Sequence, residues 1–95
     1  PFRAYLSSDA LGDKLMVRSR KSGDWFQLLG MEGSKKLKDF MIDAHIPQAW
    51  RGNVPLLVTE NGIAWVVGWR IAHWARLMED TVEVVDLEIS PAPAT

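Results

Sequence analysis

Two apolar runs, Val54 to Thr59 and Ile63 to Val67, are separated only by Glu60-Asn61-Gly62. Asn-Gly between such runs is the strongest short-range hairpin signal, because both residues tolerate the backbone angles of a tight turn. The chain is thereby committed to antiparallel sheet. The second arm, Ile63-Ala64-Trp65-Val66-Val67, is apolar on both faces and so requires cover on two sides. Pro55 has no amide to donate, which makes its arm an edge or places the proline at a strand start.

What covers this hairpin must come from a short chain. Ninety-five residues suffice for one domain with one core. With 47% apolar and 24% charged residues the sequence is too hydrophobic for a disordered segment. It has no cysteine, which excludes a disulfide framework and thiolate zinc and fits a reducing compartment, the cytoplasm. No apolar run reaches the roughly 20 residues that span a bilayer, so a soluble protein without membrane contact is expected. The first residue is Pro1 rather than Met, which points to a piece of a longer protein.

The remaining elements follow from pattern. Residues 1–12 read as a connector with room for a short strand, and Lys14 to Ser19 as a first strand ending in the turn Arg20-Lys21-Ser22-Gly23-Asp24. Ser34 is a good N-cap for a helix whose Leu37, Phe40, Met41 and Ala44 form one inward face. Lys35 and Lys38 then lie opposite that face, with Lys36 and Asp43 near one edge. Pro47 stops this helix and opens a short second one, Gln48 to Arg51, closed by Gly52, with Trp50 folding back. Val82 to Ile89 reads as a last half-buried strand, and residues 90–95 as a flexible Pro-Ala tail. The sum is an α+β domain over residues 13–89: a small mixed sheet or barrel-like layer with one main helix and a short second helix.

Charge is unevenly distributed although the net value is only −1. Lys14 to Lys38 holds seven basic residues against two acidic ones, whereas Glu79 to Glu88 holds five acids and no base. Such asymmetry speaks to partners. On the predicted helix, Lys35, Lys36 and Lys38 crowd the first turn, where the helix dipole disfavours cations unless an anion is bound.

Arg18, the Arg20 to Asp24 turn, Gly30-Met31-Glu32-Gly33-Ser34-Lys35-Lys36-Leu37-Lys38-Asp39-Phe40, Ile46-Pro47, Val54-Pro55-Leu56-Leu57-Val58 and Trp65-Val66-Val67-Gly68-Trp69-Arg70-Ile71 occur in that order. Over roughly Leu15 to Val85 the chain thereby resembles the C-terminal domain of tRNA(Ile)-lysidine synthase. The resemblance implies a parent ligase that uses ATP and magnesium to join lysine to the wobble cytidine of tRNA(Ile). That chemistry belongs to an N-terminal catalytic domain with a Ser-Gly-Gly-x-Asp-Ser loop, and no such loop occurs here. This chain is therefore expected to be non-catalytic, to carry no cofactor of its own and to hold tRNA at the acceptor stem. Two positions depart from the family pattern. Trp25 stands where a basic residue is common, and Trp69 where a smaller apolar one is usual.

The expected RNA-binding set is Arg18, Arg20, Lys21, Lys35, Lys36 and Lys38, with Arg51 and Arg70 behind them. Phosphate contacts of this kind supply grip rather than sequence choice. A solvated helix face competes as the reading for the three lysines, and ordinary strand-edge charge competes equally for Arg18, Arg20 and Lys21. Of the five tryptophans, Trp50, Trp65 and Trp74 are assigned to the core, leaving Trp25 and Trp69 open. His45 and His73 lack companions at ligand spacing, so no metal site is expected. Lys35 and Asp39 are an i, i+4 surface pair. A protein-interaction or homodimerisation module, docking through Trp25, Trp69 and the acidic last strand, is the alternative reading.

Overall fold

The structure, a computed structural model, describes residues 2–27 and 33–89. In chain order it has β1 (Phe2–Ser7), α1 (Ser8–Leu11), β2 (Leu15–Arg18), β3 (Trp25–Phe26), β4 (Lys35–Lys36), α2 (Leu37–Asp43), α3 (Gln48–Arg51), β5 (Leu56–Thr59), β6 (Gly62–Val66), β7 (Arg70–Ile71) and β8 (Val84–Ile89), with a 3-10 turn at His73–Ala75 before β8. The α+β class is as expected, and every described strand pair is antiparallel. The four-stranded sheet has the order β2-β5-β6-β7, and β1-β8 and β3-β4 form two ribbons. The molecule is 20 Å thick along its shortest axis, which leaves space for about two packed layers.

The hairpin predicted at Asn61-Gly62 is β5–β6, with Thr59 opposite Gly62. Gly62 takes a φ of 121°, a conformation rare for any residue with a Cβ. The Asn61 amide donates to Thr59 Oγ1 at 2.9 Å and its side-chain nitrogen donates to the Ala10 carbonyl at 3.1 Å, tying the hairpin tip to α1. Leu57 faces Trp65 while Val58 faces Ile63, so Ala64 is the extra residue of a β-bulge. Ile63 to Val67 are all buried, which meets the demand for cover on both faces. Pro55 sits just before β5, where the missing amide costs no ladder bond.

The cover comes from every part of the chain. One core cluster joins Leu6 of β1, Leu11 of α1, Phe26 of β3, and Leu37, Phe40 and Met41 of α2 to the hairpin. Phe26 and Phe40 meet as tilted rings with centroids 5.0 Å apart. The lead-in thus contains a strand of six residues, paired along its whole length with β8, and its Leu6 and Leu11 are buried. In β8 the inward residues are Val85, Leu87 and Ile89. Val82 and Val84, read as apolar members of that strand, are exposed because the inward phase begins only at Val85.

The main helix begins later than Ser34. Lys35 and Lys36 are extended and pair with Phe26 and Trp25, and the first helical amide, Leu37 N, donates to the Asp24 carbonyl at 2.9 Å. The β3–β4 ladder claims the backbone that would have formed the first turn, so only Lys38 of the three lysines lies within the helix. Its far end closes as a Schellman motif, with Ile46 N donating to Met41 O and His45 N to Ile42 O, both at 3.0 Å. His45 occupies the left-handed position at φ 58°, where glycine is usual. Lys35 pairs with Asp43 rather than with Asp39. Trp50 is 59% exposed instead of packed, because α3 is a single surface turn without a buried residue. Trp65 is buried and Trp74 partly buried against the core, as assigned.

The turn between β2 and β3 is held by one ion pair. Arg18 Nη1 and Nη2 donate to the two carboxylate oxygens of Asp24 at 2.9 and 3.0 Å, and the Lys21 amide donates to Oδ2 at 2.8 Å. The hydrogen bonds from Arg18 hold the Asp24 carboxyl below the usual carboxylate range, burial opposes them, and the Lys21 amide and charge assist. A carboxyl with a lowered folded-state pKa contributes fully above its unfolded value of about 3.9 and loses that contribution as pH falls further.

Three stability measurements check this description. Asp24→Asn should cost about 1–3 kcal/mol near neutral pH. In denaturant titrations the gap from wild type should close on acidification below about pH 3.9; a gap of constant size would refute the clamp. Leu6→Ala should cost about 2–5 kcal/mol, and a loss no larger than that of an exposed site would show that β1 is peripheral. His45→Gly should leave the melting temperature unchanged or raise it by relieving the left-handed strain, with a gain of at most about 1 kcal/mol.

Candidate functional site

A groove of about 620 Å³ runs between the turn after β2, the β4–α2 junction and α3. Arg20 and Lys21 come from the turn, Lys36 and Lys38 from the junction, and Arg51 from α3. Each position has a local cause. Gly23, at φ 88°, lets the turn reverse tightly enough to bring Arg20 and Lys21 over the helix start. Lys36 is the last extended residue and Lys38 lies on the solvent side of the first helical turn, opposite buried Leu37 and Met41. Arg51 Nε donates to the Ile46 carbonyl at 2.9 Å, which fixes the root of its guanidinium.

The groove is strongly cationic. Its five basic side chains face one acidic lining residue, Asp24, whose carboxylate is taken up by Arg18. Among the described residues, Arg20, Lys21, Lys36 and Lys38 form no ion pair. Asp24 is the hinge of the whole arrangement. Its side chain binds Arg18 at the end of β2 and the Lys21 amide in the turn, while its carbonyl binds the first amide of α2. The Asp24 carboxylate in turn raises the Arg18 pKa, mainly through the hydrogen bond. Arg18 therefore shapes the groove without lining it, with 19% of its side chain exposed.

Three of the eight predicted residues lie outside the groove. Arg18 is spent on Asp24. Lys35 and Lys36 point to opposite sides of the extended β4, and Lys35 lines a separate recess with Phe40, Asp43, Ala44, Trp69 and Arg70. Arg70 Nη1 donates to the Trp69 carbonyl at 3.0 Å. The reason for singling out the lysines also changes. The convergence of three chain segments recommends the groove, and the helix dipole contributes little because α2 is only seven residues long.

Reading the sequence missed the part played by Asp24. Asp24 closes a Lys-Ser-Gly-Asp turn, its amide donating to the Lys21 carbonyl and its carboxylate accepting the Lys21 amide, and an Asp beside a turn glycine able to bond local backbone in this way is a recognisable signal. Also missed was an aromatic recess of about 410 Å³ formed by Phe2, Trp65, Gly68 and Trp69 with Arg3 and Arg70. It joins residues 60 or more positions apart, which no local pattern reveals. Arg3 on its rim has a raised pKa, chiefly through its hydrogen bond to Glu88 and then through the charges of Asp86 and Glu88. No group of three or more His, Asp or Glu side chains that would suit a metal ion occurs among the described residues. No helix there is long and apolar enough to cross a membrane. The segment 28–32, which carries Gly30, Met31 and Glu32 of the sequence motif, and the tail 90–95 lie outside the described residues.

Known proteins share both sequence and fold. The family described as the TilS substrate C-terminal domain matches residues 15–85. A tRNA(Ile)-lysidine synthase of Dehalococcoides mccartyi is 51% identical over 85 residues, covering 90% of this chain and 18% of the relative. The Clostridium tetani protein of the same name is 42% identical over the same shares of both chains. The chain thus spans less than a fifth of the length of these relatives. A crystal structure of a TILS C-terminal domain superposes with a TM-score of 0.73 at 28% identity, covering 90% of this chain and 65% of that one. By the matched residues and the shared fold, this chain belongs to the family of TilS C-terminal domains, the C-terminal domains of tRNA(Ile)-lysidine synthases.

Proposed function

We propose that this domain grips tRNA(Ile) for a lysidine synthase, holding the acceptor stem through phosphate contacts in the groove of Arg20, Lys21, Lys36, Lys38 and Arg51. The observation that carries this reading is the convergence of five cations on one concave surface of a chain whose net charge is −1. Such local concentration of one sign focuses the field on a polyanion. Lysines and arginines spread along a groove suit successive phosphates, and a duplex RNA is read mainly by shape, phosphates and 2′-hydroxyls. The exposed lysines supply charge, while Arg51, anchored through Nε, presents a fixed fork.

The reaction would belong to the rest of the parent enzyme. There a catalytic N-terminal domain, with ATP and magnesium in the cytoplasm, would join lysine to the wobble cytidine. The part of this domain is to hold the far end of the tRNA so that the anticodon reaches that site.

Binding to a tRNA(Ile) transcript and to its isolated acceptor minihelix, each across a salt series, tests the reading. Both should bind comparably with a steep dependence on salt. The double reversal Lys36→Glu, Lys38→Glu should weaken binding at least tenfold and flatten the log-log salt slope by about two units. Lys14→Glu, outside the groove and only loosely paired with Glu60 at 3.9 Å, should change little. Equal effects from the two variants would show that general charge, and not the groove, governs binding.

A further inference from the structure

The aromatic recess is built differently from the basic groove. The Phe2 ring lies over Gly68, where an added Cβ would come within 3.2 Å of it, so glycine makes the space that the ring occupies. Trp69 lines the same recess and rests partly buried against the core. Phe2 nonetheless keeps 49% of its surface exposed, a wide aromatic face held in place from one side.

The charges at the rim argue against a phosphate. Arg3 is matched by Glu88 at 2.6 Å and Asp86 at 3.4 Å. Arg70 is then the one cation of the recess without an acidic partner among the described residues. An aromatic face beside a single planar guanidinium suits an uncharged planar heterocycle, which can stack on one and stack on or hydrogen-bond to the other.

Position completes the argument. Trp69 and Arg70 also border the recess of Lys35, and Lys35 is the chain neighbour of Lys36 in the basic groove. The basic groove and the aromatic recess therefore flank β4, linked through the neighbouring residues Lys36 on the groove side and Lys35 on the side of Trp69 and Arg70. We infer that the recess receives an unpaired nucleobase where a strand runs on beyond the end of a stem held in the groove. The inference rests on the tRNA-gripping reading above and adds a second subsite to it.

The test compares a blunt RNA stem with the same stem carrying a short single-stranded 3′ extension. Wild-type protein should bind the extended stem about five- to tenfold more tightly, the gain given by stacking one base. Phe2→Leu fills the space over Gly68 without a π-face and should bind both stems alike, whereas Phe2→Tyr should keep the preference. Circular dichroism confirms that both variants fold. Excess adenosine monophosphate should leave the preference in place.

Equal binding of the two stems by wild type, or a preference that survives Phe2→Leu, overturns the subsite while leaving the groove standing. Loss of the preference to adenosine monophosphate makes the recess a site for free nucleotide and overturns the strand-end assignment. Failure of both stems to bind overturns the subsite together with the reading beneath it.

Discussion

The rest of the structure depends on a strand that cannot face water on either side. Ile63 to Val67 would expose apolar surface whichever way the sheet was turned, at a cost of about 25 cal/mol for each Å² left wet. In a chain this short no single element is large enough to cover both faces. Cover is assembled from β1, α1, β3 and α2 together, so residues far apart in sequence are drawn to one centre. The β3–β4 ribbon and the start of α2 are brought beside the β2 turn by the same burial, because Phe26, Leu37 and Phe40 all enter the core. The basic groove is the outer surface of that packing.

Burial places the groove walls, and one residue sets their relative geometry. Asp24 uses its side chain toward Arg18 and Lys21 and its carbonyl toward Leu37. A surface pair between two mobile side chains would contribute little. This one is bidentate, with 19% and 14% of the two side chains exposed, and a backbone amide occupies a further acceptor position. The arrangement separates two tasks that the sequence presents as one basic run. Arg18 organises, and Arg20, Lys21, Lys36, Lys38 and Arg51 are left to face outward.

How much of this was legible follows from the range of each interaction. The β5–β6 hairpin, the Pro47 break and the turn at Gly23 are written in adjacent residues, and all three stand where the local chemistry puts them. The start of α2 was not legible. Ser34 offers a good N-cap, yet the competing ladder between Lys35-Lys36 and Trp25-Phe26 depends on a pairing that no local signal encodes. Trp50 shows the same limit in reverse. Its apolarity suggests burial, but whether a one-turn helix lies over the core or on its rim is decided by tertiary packing. Among the basic residues, type and position in sequence identified the charged face, and only the fold separated the five in the groove from Lys35, Arg70 and Arg18, the partner of Asp24.

The overall charge balance then makes physical sense as a matter of placement. A domain with twelve acids and eleven bases has no net attraction for a polyanion at long range. Within a Debye length of about 8 Å at physiological salt, however, only nearby charges act. None of the five acids between Glu79 and Glu88 lines the groove, and two of them, Asp86 and Glu88, are engaged with Arg3 on the β1–β8 ribbon. The acidic segment therefore lowers the global charge without cancelling the local field. A surface of this kind concentrates positive potential at short range on one face. That economy suits a domain whose proposed task is to hold one RNA in one orientation for chemistry carried out elsewhere in the parent chain.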